Sequence, residues 1–203
     1  MMKIIKYEKK GNGNYLVYLD NDKKIKLNED VILKYKLLYL NEIDEFLLEE
    51  IISDNNNYDI YNKCVNYIGV RLRSINEIRE YMERKGVSEE VIEDTLKRLI
   101  KNKLLDDDTF AKAFVKDKLN FTTMGPYRIE RELERHKIDK SIIDKYINTI
   151  DNKILEDKIN KQINKLIKSN RKKINLKNKI YNNLLNLGYS SEFILDNLNK
   201  YDV

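Results

Sequence analysis

Cysteine, proline and histidine each occur once in the 203 residues, tryptophan is missing, and glycine occurs six times. A lone cysteine, Cys64, excludes an internal disulfide framework. So few prolines and glycines leave long stretches without a breaker, which favours helix. His136 stands apart from any recognisable arrangement with cysteine or serine, which leaves no constellation for nucleophilic catalysis. Long hydrophobic runs are also lacking. The most apolar early stretch, residues 31–40, is broken by Lys34 and Lys36 and falls far short of the ~20 apolar residues that span a bilayer. Membrane insertion is therefore not expected. The start, Met1-Met2-Lys3, lacks the apolar run of a secretory signal, so the expected address is cytoplasmic.

What is present points to a folded chain rich in surface. A hydrophobic content of 41% is enough to bury a core, while 36% charged residues suggest an extended shape with a high surface-to-volume ratio. Basic and acidic residues number 9 and 11 in residues 1–57, 19 and 18 in 58–152, and 11 and 5 in 153–203. The positive excess thus sits in the last quarter, where no acid occurs between Lys158 and Lys179. A basic end beside a neutral middle suits nucleic acid or an acidic protein surface, and equally a solvated lysine-rich helix face.

Residues 1–57 read as a strand-containing segment with short helices. Ile4 to Lys9, Tyr15 to Leu19 and Lys24 to Leu27 form a small meander around turns at Gly11-Asn12-Gly13 and Asn21-Asp22. Asn28 caps a helix that carries Glu29 and Asp30 in its first turn, and Ile43 to Ile52 has a further helical pattern. The polar run Ser53-Asp54-Asn55-Asn56-Asn57 reads as a linker.

Beyond it the chain repeats at a spacing of about 51 residues. Apolar columns align as Ile78/Ile129/Ile180, Met82/Leu133/Leu184, Val87/Ile138/Tyr189, Val91/Ile142/Phe193, Ile92/Ile143/Ile194, Leu96/Ile147/Leu198 and Leu99/Ile150/Tyr201. A cap column, Ser88/Asp139/Ser190, runs between them. Each row reads as three helices, giving three tandem three-helix repeats over 58–106, 107–153 and 154–203. The expected fold is mainly α, an elongated curved body of stacked repeats. In the first row the helices are Tyr58 to Leu72, Ser74 to Lys85 with a Ser74/Glu77 capping box, and Ser88 to Lys101. Gly86 and Gly188 supply left-handed helix ends, and Gly125-Pro126 opens a helix in the second row.

Three groups of cations are candidates for contact with a partner or nucleic acid. Arg128, Arg131 and Arg135 lie at i, i+3 and i+7, opposite Ile129 and Leu133, and form a solvent-facing guanidinium stripe suited to bidentate bonds. Local pairing with Glu132 or Glu134 is the plainer account. Arg71 and Arg73 flank a helix junction, where they either meet a partner or satisfy the carbonyls that end the helix. Lys168, Arg171, Lys172, Lys173, Lys177 and Lys179 form the densest basic cluster, either a sequence-independent phosphate binder or a solvated loop. Asp106-Asp107-Asp108 reads as a helix cap, not a metal site, because no His or Glu cluster stands at ligand spacing. Cys64 shares its row position with Val115 and Leu166, which marks it as core, and most of the fourteen tyrosines read as structural. No catalytic, metal or cofactor residue is expected.

The stretches Arg71-Leu72-Arg73-Ser74-Ile75-Asn76-Glu77-Ile78 and Leu104-Leu105-Asp106-Asp107-Asp108-Thr109-Phe110-Ala111 resemble the RecX family. That family carries R-x-R-S-x-x-E-[LI] at the second helix of its first repeat and [LI]-x-D-D-x-x-[FY]-A where the second begins. The resemblance extends to Gly125-Pro126-Tyr127-Arg128-Ile129 and covers nearly the whole chain, with an Asn- and Lys-rich third row as the departure. It implies a non-enzymatic regulator of the RecA recombinase, one that lies along the RecA filament on DNA and lowers recombinase and ATPase activity. The basic cluster adds an expected weak contact with single- or double-stranded DNA without sequence preference, and a repeat stack with polar ends is compatible with a monomer. The alternative is a general DNA-binding helical module without a recombinase partner.

Overall fold

A computed structural model describes residues 1–169 and 175–202. The alternating N-terminal pattern forms three antiparallel strands, β1 (Met2–Gly11), β2 (Asn14–Leu19) and β3 (Lys24–Asn28). Their register sets Tyr7, Val17 and Ile25 across the inner face and Lys6, Tyr18 and Lys24 across the outer one. A fourth strand, β4 (Glu42–Ile43), pairs with Met2 and Lys3, giving the sheet order β3-β2-β1-β4. Ile43 therefore belongs to a strand and not to the helix expected from it. Asp44 caps that helix instead, accepting from the Leu47 N–H at 2.7 Å.

Asn28 caps α1 (Glu29–Lys34) as expected, with the Asp30 N–H donating to its Oδ1 at 3.0 Å. The helix capped by Asp44, α2 (Glu45–Val70), then runs 26 residues without a break. The expected linker Ser53–Asn57 falls inside α2. The polar run is helical because its side chains have partners far away in sequence. Asn55 is buried, accepts from the Asn28 N–H at 2.7 Å and donates to the Lys26 carbonyl at 3.2 Å, closing the exposed end of β3. Asp54 pairs with Lys34 and accepts from the Tyr35 hydroxyl at 2.7 Å.

Three helical triplets follow: the second half of α2 with α3 (Ile75–Glu83) and α4 (Glu89–Lys101); then α5 (Asp107–Phe121), α6 (Pro126–Arg135) and α7 (Lys140–Ile147); then α8 (Asn152–Ser169), α9 (Leu176–Asn186) and α10 (Ser191–Leu198). Ile78, Ile129 and Ile180 are buried, as are Met82, Leu133 and Leu184, and Ile92, Ile143 and Ile194. Each triplet thus repeats the same inward positions. The turn before the third helix of each triplet needs a left-handed residue. Gly86 (φ +72) and Gly188 (φ +90) supply it, and Lys137 (φ +54) takes it up between them. In the cap column Asp139 accepts from the Ser141 N–H and Ser190 from the Phe193 N–H, whereas Ser88 makes no side-chain cap bond.

By internal packing the chain forms two compact units, Met1–Leu72 with Ile78–Leu105, and Arg73–Glu77 with the chain from Asp106 on. In the first, Val17, Leu19 and Leu27 of the sheet pack with Val31, Ile32, Leu48 and Ile51 of α1 and α2. In the second, one core gathers Phe110, Val115, Ile129, Leu133 and Ile143, another gathers Leu155, Ile159, Ile163, Leu184 and Ile194, and Leu119 and Ile150 pack against both. Lys158 strengthens that junction: its ammonium donates to the Leu119 and Thr122 carbonyls at 2.5 and 2.6 Å, where α5 runs out of partners.

Candidate anion-binding interface

Helix α6 starts because Gly125 gives an extended N-cap and Pro126 follows at a position where a missing N–H costs nothing. Its apolar side, Ile129 and Leu133, is fully buried. Arg128, Arg131 and Arg135 are therefore forced outward, and all three are exposed. The N-terminus of α6 is locked to the α9–α10 turn. The Gly125 N–H donates to the Leu187 carbonyl at 2.7 Å and the Tyr127 N–H to the Gly188 carbonyl at 3.1 Å. Two glycines permit this approach: a Cβ on Gly125 would lie 2.5 Å from the Gly188 oxygen, and one on Gly188 would lie 2.5 Å from the Arg128 nitrogen.

Between the two elements opens a cleft of about 680 Å³, with Tyr127, Arg128, Arg131, Glu132 and Arg135 on one wall and Ser190 and Ser191 on the other. Two of the three acids on α6 are paired, one of them inside the cleft. Glu130 pairs with Lys140, and Glu132 with Arg135 at 3.0 Å. Local pairing thus accounts for Arg135, while the guanidiniums of Arg128 and Arg131 form no ion pair with any described residue. The hydroxyl of Ser190 is committed to its own helix cap, and Tyr189 lies buried at the base, its phenol pushed up to about 12 by burial. Two fixed walls and two arginines without an ion pair among the described residues make this cleft a candidate anion site.

The other cations are placed differently. Lys168 stands exposed in the last turn of α8, and Lys177 and Lys179 in the first turns of α9. Lysines at a helix start oppose the helix dipole, and Lys177 donates to the Asn199 side-chain oxygen at 3.4 Å. Arg171, Lys172 and Lys173 lie outside the described residues. Arg71 is exposed and donates to the Leu72 carbonyl at 2.8 Å, beyond the carbonyls that end α2. Arg73 is turned inward, only 10% exposed, and reaches Glu77 at 3.4 Å. The same Glu77 closes the expected capping box, accepting from the Ser74 N–H at 3.2 Å while its own N–H donates to Ser74 Oγ at 3.1 Å.

The three aspartates diverge to separate structural duties. Asp106 caps α5, accepting from the Asp108 and Thr109 N–H groups. Asp107 accepts from the Ile75 N–H at 2.9 Å, and burial raises its pKa. Asp108 accepts from Lys145 at 2.6 Å and from the Tyr146 hydroxyl at 2.7 Å. His136 packs edge-on against Phe110 and Phe114.

Over 190 residues the chain is 30% identical to the regulatory protein RecX of Listeria monocytogenes serotype 4a (strain HCC23), covering 93% of this chain and 71% of that one. The chain belongs to the RecX family. RecX of Geobacillus thermodenitrificans (strain NG80-2) is 35% identical over 131 residues, 64% of this chain and 49% of that one. The family descriptions "RecX, first three-helix domain" and "RecX, second three-helix domain" match residues 61–99 and 106–147, so the capping box falls in the first and α6 in the second. A RecX crystal structure superposes with a TM-score of 0.85 at 24% identity, over 99% of this chain and 100% of that one. RecX from Lactobacillus salivarius gives 0.68 at 24% identity, over 72% of this chain and 97% of that one. These likenesses establish the fold and a regulatory family. Among the described residues no helix is long and apolar enough to cross a membrane.

Sequence reasoning found the arginine stripe but missed its setting. Tyr127 and Ser191 line the same cleft, and Gly125 and Gly188 build it. Both glycines were visible as helix-end residues, but their contact joins positions more than sixty residues apart and has no local signal.

Proposed function

We propose that this member of the RecX family binds the RecA filament on DNA and lowers its recombinase and ATPase activity, acting by binding and not by catalysis. The exposed stripe Arg128, Arg131 and Arg135 carries the reading. In a chain of this family it offers bidentate cations to a groove lined by protein carboxylates and DNA phosphates. Arg71 and the lysines Lys168, Lys177 and Lys179, with Arg171, Lys172 and Lys173 nearby in sequence, are secondary contacts on this view. The three triplets, taken as 58–106, 107–153 and 154–203, act as successive binding segments of a cytoplasmic monomer.

The test is inhibition of RecA's DNA-dependent ATPase at saturating single-stranded DNA. Inhibition is expected to persist there, and to weaken when Arg128→Glu and Arg131→Glu are combined without loss of helicity by circular dichroism. A second reading, a general DNA binder that competes for the strand, is favoured by the acid-free basic stretch from Lys158 to Lys179. It predicts instead that saturating DNA abolishes the inhibition.

A further inference from the structure

We infer that the cleft between α6 and the start of α10 is a site for single-stranded nucleic acid, with strand phosphates on Arg128 and Arg131 and an unstacked base on the ring of Tyr127. This rests on the reading above, that the protein works on DNA-bound filaments, and names what one of its surfaces touches there.

Three observations converge. The arginines form a line: Arg128 and Arg131 lie about 4.5 Å apart along the helix at ~1.5 Å per residue, and Arg135, paired with Glu132, continues it by one more turn. Such a row suits a ligand whose anions repeat, whereas a lone carboxylate would use one guanidinium. Arg128 and Arg131 have no ion-pair partner among the described residues, and the facing wall presents serines and no carboxylate. Tyr127 adds an aromatic group to this row. The residue is 54% exposed and lines the cleft with Arg128, and its i, i+4 relation to Arg131 puts the two on one side of the helix.

The exposed ring decides between partners. An acidic protein segment would satisfy the arginines and leave the ring idle. A duplex offers phosphates but keeps its bases stacked inside. A single strand presents both, since every base has a face that stacks on an aromatic side chain while guanidiniums track the backbone. At about 680 Å³ the cleft is within the range of sites that enclose small organic ligands, large enough to admit a base with its phosphate. The glycine lock at Gly125 and Gly188 fixes both walls before binding, so little ordering cost falls on association.

The experiment is fluorescence anisotropy of a labelled oligothymidine with the full chain, without RecA, over a series of salt concentrations. A blunt duplex of equal length and RecA without DNA serve as separate partners. Tyr127→Ala should weaken the single strand roughly tenfold, as for loss of one stacked base, and leave duplex binding within about twofold, while Tyr127→Phe binds like the parent. Arg128→Ala with Arg131→Ala should flatten the single-strand slope of log K against log salt by about 1.4, from ~0.7 per phosphate contact. Single-strand binding unchanged in the alanine variants, or Tyr127→Ala weakening duplex and single strand alike, overturns the assignment. So does loss of RecA binding with strand binding intact, an outcome that leaves the broader regulatory reading standing. Tyr127 faces solvent, so its variants decide the matter even if the double arginine variant proves unstable.

Discussion

Asp107 shows how one carboxylate can be well bonded and still oppose folding. Its Oδ1 holds the Ile75 N–H, yet burial raises its pKa above the ordinary 3.8. The folded state therefore holds the proton more tightly than the unfolded chain. This stabilisation is fully present below 3.8 and is lost as pH rises through the raised folded value, so at neutral pH the ionised group is a net burden. Asp107→Asn keeps the acceptor and removes the charge. It is expected to raise stability at pH 7 and to flatten the decline in melting temperature as pH is raised from 3.5 to 6. A variant less stable than the parent at pH 7 would show that Asp107 serves as an anion and not only as an acceptor. The tripled aspartate was legible as a cap from its place before an apolar run. Which of the three is most desolvated was not, because that depends on the approach of Ile75, 32 residues earlier.

At the scale of elements, glycine serves two purposes that one pair of variants separates. Gly86 and Gly188 both end helices with positive φ, but nothing lies within 4 Å of a Cβ on Gly86, whereas one on Gly188 meets the Arg128 backbone at 2.5 Å. Gly86→Ala should cost about 1–2 kcal/mol, the price of a left-handed alanine. Gly188→Ala should cost roughly 1–3 kcal/mol more through the clash, and should shift the backbone amide signals of Tyr127 and Arg128. Equal urea midpoints for the two would mean that α6 is not locked to the α9–α10 turn. The repeat made most helices readable, since Ile78, Ile129 and Ile180 recur at a fixed spacing and each is buried. Where no repeat helped, composition misled. Ser53–Asn57 has the residues of a linker because Asn and Asp compete with helical hydrogen bonds when they lack other partners. Here Asn55 finds them in β3 and Asp54 in Lys34 and Tyr35, so the helix continues. β4 escaped notice because two residues carry no alternation to read.

At the scale of the whole molecule each unit has cores of its own. Leu119 and Ile150 pack against both clusters of the second unit, while the cluster of sheet, α1 and α2 in the first unit is built from its own residues. Ile129→Asp places a carboxylate without a partner at a fully buried position, a change that costs several kcal/mol. It should unfold the second unit and leave the first folded. Hydrogen exchange should then show Val17, Leu27 and Ile51 amides still protected while those of Leu133 and Ile159 are lost. Global unfolding, or melting like the parent, would contradict the division into units and the facing of α6 respectively. Cys64, fully enclosed in the first unit with its thiol pushed up to about 11, is the sole sulfhydryl of the chain. The native sequence therefore contains its own labelling site: alkylating reagents can reach that sulfur only when the first unit opens, so their uptake times its breathing without an engineered probe.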